Sequence, residues 1–176
     1  MYASSSVYFA QTQTPLGEVL LRAYDGALSG LHFLDQSNCP RLPLNTPVFK
    51  RTTRDARIFP STTRALFEHV FTQLDRWFLG HETSFDVPLH LEGTVFQQQV
   101  WRALLQIPFG TVVTYGDISL RVTGARTGCR AVGAAIGKNP VSIIVPCHRV
   151  VGANGKLTGF SGGLDRKAAL LAHEGR

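Results

Sequence analysis

A cysteine, a histidine and an arginine stand side by side at positions 147–149, directly after the apolar run Ile143-Ile144-Val145 and Pro146. A thiolate is a strong nucleophile, and positive neighbours favour it over the thiol. The proline fixes the approach of the backbone to Cys147. The segment reads as a buried apolar strand that delivers a nucleophile flanked by two basic side chains, His148 and Arg149. The competing reading is a structural thiol beside a surface His-Arg pair, since small buried thiols are common. A cysteine hydrolase fits less well, because its histidine stands far from the nucleophile in sequence.

The rest of the composition bounds what such a centre could serve. The chain has 176 residues, 44% of them hydrophobic and 17% charged, enough apolar material for a sizeable core and too much for wholesale disorder. Lysine and arginine total 18 against 12 acidic residues, a net charge of +6. Residues 1–90 are neutral overall, so the whole surplus lies in residues 91–176. A basic half suits a polyanionic partner, although an ordinary solvated basic face would look the same. No apolar run approaches the ~20 residues that cross a bilayer. The first residues carry neither a basic segment nor a long apolar stretch, so no signal peptide and no membrane association are expected. Three cysteines (Cys39, Cys129 and Cys147) are too few for a disulfide framework and favour a reducing, cytoplasmic setting. No Cys-x-x-Cys pair exists, and no metal is expected.

The elements that must hold this centre can be read from pattern. Residues 7–13, 18–24 and 28–33 read as strands, broken by Thr14-Pro15-Leu16-Gly17 and by Asp25-Gly26, a strong hairpin signal. Residues 38–60, with four prolines and the basic cluster at 50–54, read as a long surface loop. Residues 61–79 read as a helix with Ser61 as N-cap and an apolar stripe through Leu66, Val70, Leu74 and Trp77. Residues 80–93 read as the connection between halves. Helices are expected at 94–105, 115–122, 126–137 and 166–173, the last capped by Asp165, with a glycine-rich loop at 152–163. The fold class is therefore α/β in composition, of the α+β kind. A small N-terminal antiparallel sheet with a helix spans 1–90, and a mostly helical domain spans 91–176.

Two short helices joined by a glycine-containing turn, inside the basic half, suggest a helix-turn-helix. The second of them, Thr127-Gly128-Cys129-Arg130-Ala131-Val132-Gly133-Ala134-Ala135-Ile136-Gly137, is built almost wholly of small residues. Each glycine costs a helix up to ~1 kcal/mol against alanine. Small residues gain something only where another surface approaches closely. The DNA minor groove, about 6 Å wide, is one such surface; a tightly packed neighbouring helix is the other. Arg130 is the one long side chain inside this helix, and Cys129 is expected to be packed.

Pro146-Cys147-His148-Arg149-Val150 resembles the active-site signature of the O6-alkylguanine-DNA alkyltransferases, also called methylated-DNA–protein-cysteine methyltransferases. The resemblance extends in order through Phe96-Gln97-Gln98-Gln99-Val100-Trp101, Gly110-Thr111-Val112-Val113-Thr114-Tyr115-Gly116, Arg130-Ala131-Val132-Gly133, Lys138-Asn139-Pro140, Ser161-Gly162-Gly163 and Leu170-Leu171-Ala172-His173-Glu174-Gly175. It is weaker over the first ninety residues.

The resemblance implies repair of O6-alkylguanine, and of O4-alkylthymine, in double-stranded DNA by a monomeric, cofactor-free, single-use protein that everts the damaged nucleotide. It implies that Cys147 accepts the alkyl group, that His148 acts as base through a water, and that Glu174 orients His148. Asn139 would be the hinge between the DNA-binding helix and the reactive loop. Tyr115 would contact the everted guanine and donate toward it. Arg130 would fill the gap left in the stack. The backbone of Cys147 and Val150 would accept from the exocyclic amine, and the Ser161 amide would donate to the guanine oxygen. Phe160 and Gly162 would complete the base pocket, and Gly128, Ala131 and Ala135 would face the groove. Two departures stand out. Phe160 occupies a position where many members carry tyrosine, and Ser142 one where some carry proline, which implies a more open rim. Cys39, His32 and His90 do not reproduce the zinc pattern of the vertebrate members. The related lesion-binding proteins lack the cysteine that this chain has.

Overall fold

The computed structural model describes residues 6–51 and 58–176, and the chain divides into two compact units, Met1–His90 and Leu91–Arg176. Residues 52–57, which include part of the basic cluster read above, lie outside the described residues.

In the first unit, β1 (Val7–Thr14), β2 (Gly17–Tyr24) and β3 (Ala27–Phe33) form an antiparallel meander. Thr14 closes the first turn by donating its hydroxyl to the Gly17 carbonyl at 2.7 Å. Asp25 and Gly26 both adopt positive φ, 49° and 74°, the geometry of a two-residue hairpin turn that matches strand twist. A short β4 (Val48–Phe49) adds parallel to β1, inside the segment expected to be loop throughout. Phe49 explains the addition. It is 5% exposed and stacks on Phe67 and Phe71, so burying one aromatic ring draws its backbone onto the sheet edge. Helix α1 (Ser61–Phe78) packs its Leu66, Phe67, Val70, Phe71 and Leu74 stripe on the sheet; its N-cap is Pro60, one residue before the expected Ser61. The segment expected only to connect the halves also contributes: Leu28 donates to the Pro88 carbonyl, and His90 donates to that of Leu28.

The second unit is built on four helices: α2 (Val95–Leu105), α3 (Tyr115–Thr123), α4 (Cys129–Gly137) and α5 (Leu164–His173). Thr94 and Gln97 form a capping box on α2, and Thr114 and Asp117 another on α3. Gly124 ends α3 in the left-handed conformation, φ 75°, and residues 124–128 turn the chain into α4. The fourth expected helix thus begins three residues later than read, at Cys129, and α5 is capped by Gly163 with Asp165 in its first turn. β5 (Val113–Thr114) pairs in parallel with β6 (Val150–Val151). The core gathers Val100, Trp101, Leu104, Ile118, Val132, Ile136, Val145 and Leu170. Among the described residues no helix is long and apolar enough to cross a membrane.

Candidate active site

Asn139 follows Lys138, the C-cap of α4, and is 2% exposed. Its side chain accepts from the Val141 amide at 3.0 Å and donates to the Val145 carbonyl at 2.8 Å. These bonds replace the ladder of a neighbouring strand. The run at 142–145 is accordingly not the strand expected from its apolar composition but a chain of tight turns. Val145 donates to the Val141 carbonyl, and Ile144 to that of Ser142 at 2.8 Å, with Ile143 forced to φ 69°. A β-branched residue in that region costs ~1–3 kcal/mol, strain that the surrounding packing must hold.

The turns deliver Cys147 into a single 3-10 turn, Cys147–Arg149. Its sulfur lies 3.1 Å from Asn139 Nδ2, a donor. Burial pushes the Cys147 thiol up; the Asn139 hydrogen bond and the positive charge of Lys167 pull the other way. His148 is fully buried, with Nε2 2.9 Å from Glu174 Oε1 and no hydrogen-bond partner at Nδ1. Burial holds its pKa below the ordinary histidine value, although Glu174 opposes the shift, so the ring is neutral at pH 7. With the proton on Nε2 and directed at the carboxylate, Nδ1 is a bare lone pair.

Glu174, at the C-terminal end of α5, is the hub. Burial alone would raise its pKa, but hydrogen bonds from His148 and Arg149 hold it at about 2. Arg149 reaches it through Nε at 3.0 Å and Nη2 at 2.8 Å, and the Gly110 amide donates at 3.0 Å. Arg149 Nη1 donates to the Ile107 carbonyl, and the guanidinium lies over the Phe109 ring. The sequence reading of Arg149 as a cation favouring the thiolate is therefore corrected: its charge is matched by Glu174.

Tyr115 is the first residue of α3, placed by its pairing element, since Thr114 in β5 sits opposite Val151 in β6. Its hydroxyl donates to the Thr158 carbonyl at 3.0 Å. Tyr115, Cys129, Arg130, Gly133, Thr158 and Gly159 line a mostly apolar cavity of about 720 Å³. Ser161 donates its hydroxyl to the Gly137 carbonyl at 3.0 Å, which ties the glycine-rich loop to the end of α4; Phe160 is half-buried beside it and Gly162 is buried. The Val150 carbonyl accepts from Lys167 Nζ at 2.6 Å.

Not every expected contact residue faces outward. Arg130 and Ala131 are exposed on α4, but Ala135 is 3% exposed and its carbonyl accepts from the Trp101 indole at 2.9 Å. Helical periodicity turns Val132, Ala135 and Ile136 inward, so Ala135 belongs to the core. Gly128 donates its amide to the Ser119 hydroxyl, and a Cβ there would stand 3.0 Å from that oxygen. Close helix packing thus explains part of the small-residue content of α4. Cys129, expected to be packed, is exposed on the cavity wall. Ser142, expected on an open rim, is 3% exposed and does not line that cavity.

One residue of the site escaped the sequence reading. Lys167 is fully buried, and its ammonium donates to the carbonyls of Val150, Thr158 and Gly159. Lys167, Leu170, Leu171 and Glu174 share one helical face, so a lysine inside the buried stripe of α5 was the available signal. Among the described residues, no group of three or more His, Cys, Asp or Glu side chains converges as a metal site.

One unit thus holds a buried thiol, a neutral imidazole oriented by a carboxylate, and two short helices, α3 and α4, joined by a glycine-ended turn. The sequence profile of the 6-O-methylguanine DNA methyltransferase DNA-binding domain matches residues 95–176. A methylated-DNA–protein-cysteine methyltransferase of Mycobacterium bovis is 42% identical over 96% of this chain and 92% of its own length. One from Methanosarcina acetivorans is 40% identical over 96% and 99%. The crystal structure of Mycobacterium tuberculosis OGT in complex with DNA superimposes with a TM-score of 0.79 at 40% identity, covering 95% of this chain and 92% of that one. The chain belongs to the methylated-DNA–protein-cysteine methyltransferase family.

Proposed function

We propose that this protein repairs double-stranded DNA by moving the alkyl group of O6-alkylguanine onto Cys147, once per molecule. The observation that carries the reading is the buried arrangement of Cys147, Asn139, His148 and Glu174, with His148 Nδ1 unpartnered. An alkyl group on a base oxygen points into the duplex, so the nucleotide must be everted before a protein nucleophile can reach it. A mostly apolar cavity lies between Tyr115, Arg130 and the Thr158–Gly159 backbone, and in this reading the duplex docks there.

In this reading His148 Nδ1 takes the Cys147 proton through one water. The thiolate attacks the alkyl carbon; the S–C bond forms as the C–O6 bond breaks, and guanine leaves with its electron pair and gains a proton. Tyr115 exchanges the Thr158 carbonyl for the purine, and with the Ser161 amide supports the charge that builds on the leaving group. Arg130, exposed on α4, enters the vacated stack, and α4 enters the minor groove by its outer face of Arg130, Ala131 and Ala134. The product is a thioether, which water does not cleave, so Cys147 acts once.

Incubation with duplex DNA bearing O6-methylguanine tests this directly. The Cys147 peptide is expected to gain one methyl group in place of its thiol hydrogen, with one equivalent of lesion consumed per chain. An unmodified Cys147 in protein that binds the DNA would overturn the reading.

A further inference from the structure

We propose that Lys167 is the counter-cation of the Cys147 thiolate and, through the same ammonium, the pin that holds the base-pocket loop to the reactive turn. The inference rests on the alkyl-transfer reading in assigning a purpose to the thiolate, but its geometry is independent of it.

The charges around the thiol leave one cation unmatched. His148 is neutral, and Arg149 and Glu174 neutralise one another. Asn139 offers the sulfur a hydrogen bond but no charge. Lys167 comes from α5, which packs on the Cys147–Arg149 turn. Its ammonium reaches the carbonyls of Val150 at 2.6 Å, Thr158 at 2.7 Å and Gly159 at 3.4 Å, and no carboxylate among the described residues forms an ion pair with it. On the same helix, Asp165 is exposed in the first turn, Arg166 donates to the Gly162 carbonyl, and His173 meets the Phe109 ring edge-on. Tyr115 shares the Thr158 carbonyl with Lys167. A buried ammonium held by neutral carbonyls is an expensive arrangement. It becomes favourable once a negative charge forms nearby, and the only group of the reactive turn that gains one is Cys147. Burial lowers the Lys167 pKa, and Cys147 acts in the opposite direction.

The three carbonyls define the second part of the role. Val150 lies in β6, three residues after the thiol, while Thr158 and Gly159 form the cavity wall beneath Tyr115. One ammonium therefore sets the spacing between nucleophile and pocket. Lys167 gives up no proton and touches no substrate; it is a positioning residue.

The test reads the thiol itself, without DNA or an alkyl donor, so its failure leaves the alkyl-transfer reading standing. The full chain is labelled at cysteine Cβ with carbon-13, and Cys147 is titrated by NMR in the native protein, in Lys167→Gln, which keeps a donor without charge, and in Lys167→Arg, which keeps the charge. The Gln variant is expected to raise the midpoint by about 1 pH unit or more, roughly a tenfold loss of thiolate at neutral pH. The Arg variant is expected to stay near the native midpoint. An unchanged midpoint in the Gln variant, or an equal rise in both, would overturn the proposal. Should Lys167→Gln fail to fold, the reciprocal measurement decides. Lys167 in Cys147→Ala is expected to lose its proton at lower pH than in the native chain, and identical titrations would refute the coupling.

Discussion

Asn139 Nδ2 stands 2.8 Å from the Val145 carbonyl and 3.1 Å from Cys147 Sγ, so one buried amide both shapes the reactive loop and faces its nucleophile. The same side chain accepts from Val141. Removing it in Asn139→Ala leaves the buried Val141 amide without an acceptor, worth ~1–3 kcal/mol, while the Val145 carbonyl keeps the Cys147 amide as a donor at 2.8 Å. Urea denaturation is expected to show a loss of about 2 kcal/mol, and the Cys147 thiol to titrate at still higher pH. A loss within a few tenths of a kcal/mol would mean that the loop holds its turns without Asn139.

Glu174 carries two separable duties. Glu174→Gln strands the Arg149 guanidinium in a buried site, a cost of about 3–5 kcal/mol. Adding Arg149→Met removes the stranded charge and is expected to recover part of that stability. Transfer from a free benzylguanine substrate is expected to fall about 100-fold in both variants, because neither keeps a carboxylate to fix the His148 tautomer. Native transfer rates in the double variant would remove Glu174 from the reacting network.

Local signals were legible and tertiary ones were not. The Asp25-Gly26 hairpin, the Thr14–Gly17 turn and the ends of α2 and α3 follow from residues within four positions of one another, and the structure has them where the sequence put them. The Cys147–His148 adjacency was equally plain. The run at 142–145 misled because apolar composition marks burial, not conformation, and Asn139 supplies hydrogen bonds that a strand would have needed. Ala135 misled because alanine is equally at home against a groove or against Trp101. Arg149 was misread and Lys167 was missed for one reason. Charge that is adjacent in sequence points away toward Glu174, while the cation acting on the thiol comes from twenty positions further along, on α5.

Acid should weaken the first unit before it reaches Glu174. His32 is buried, its Nδ1 2.9 Å from Gln36 Nε2, and burial with the nearby Arg22 charge lowers its pKa to about 4. The unfolded chain binds that proton near pH 6.5. The stabilisation is therefore complete above pH ~6.5 and is lost as pH falls toward 4, up to about 3 kcal/mol. His148, also depressed by burial, adds a loss of the same sign in the second unit. Glu174 behaves differently: its contribution is full above its unfolded value of ~4.3 and is lost only as pH falls toward about 2. A His32→Leu variant should show a flatter stability curve between pH ~6.5 and 4, whatever its absolute stability. A parallel curve would deny His32 its share.

Arg130 separates binding of the duplex from chemistry on the base. It is exposed on α4, at the wall of the cavity that also holds Tyr115 and Gly159, and it makes no contact with the Cys147–Glu174 network. On the proposed function, a side chain placed there acts on the helical stack and not on the transfer step. Unstacking a nucleotide costs a few kcal/mol, and a filling side chain offsets part of that cost only when there is a stack to fill. Arg130→Ala should therefore slow repair of O6-methylguanine in duplex DNA by ~10–100-fold, the equivalent of about 1.4–2.7 kcal/mol, while reaction with free benzylguanine stays within about twofold of native. Single-stranded DNA should fall between the two, because less stacking is lost on eversion. Equal losses on duplex and free base would place Arg130 in the chemistry instead, and no loss on either would leave eversion to Tyr115 and the groove-facing surface of α4.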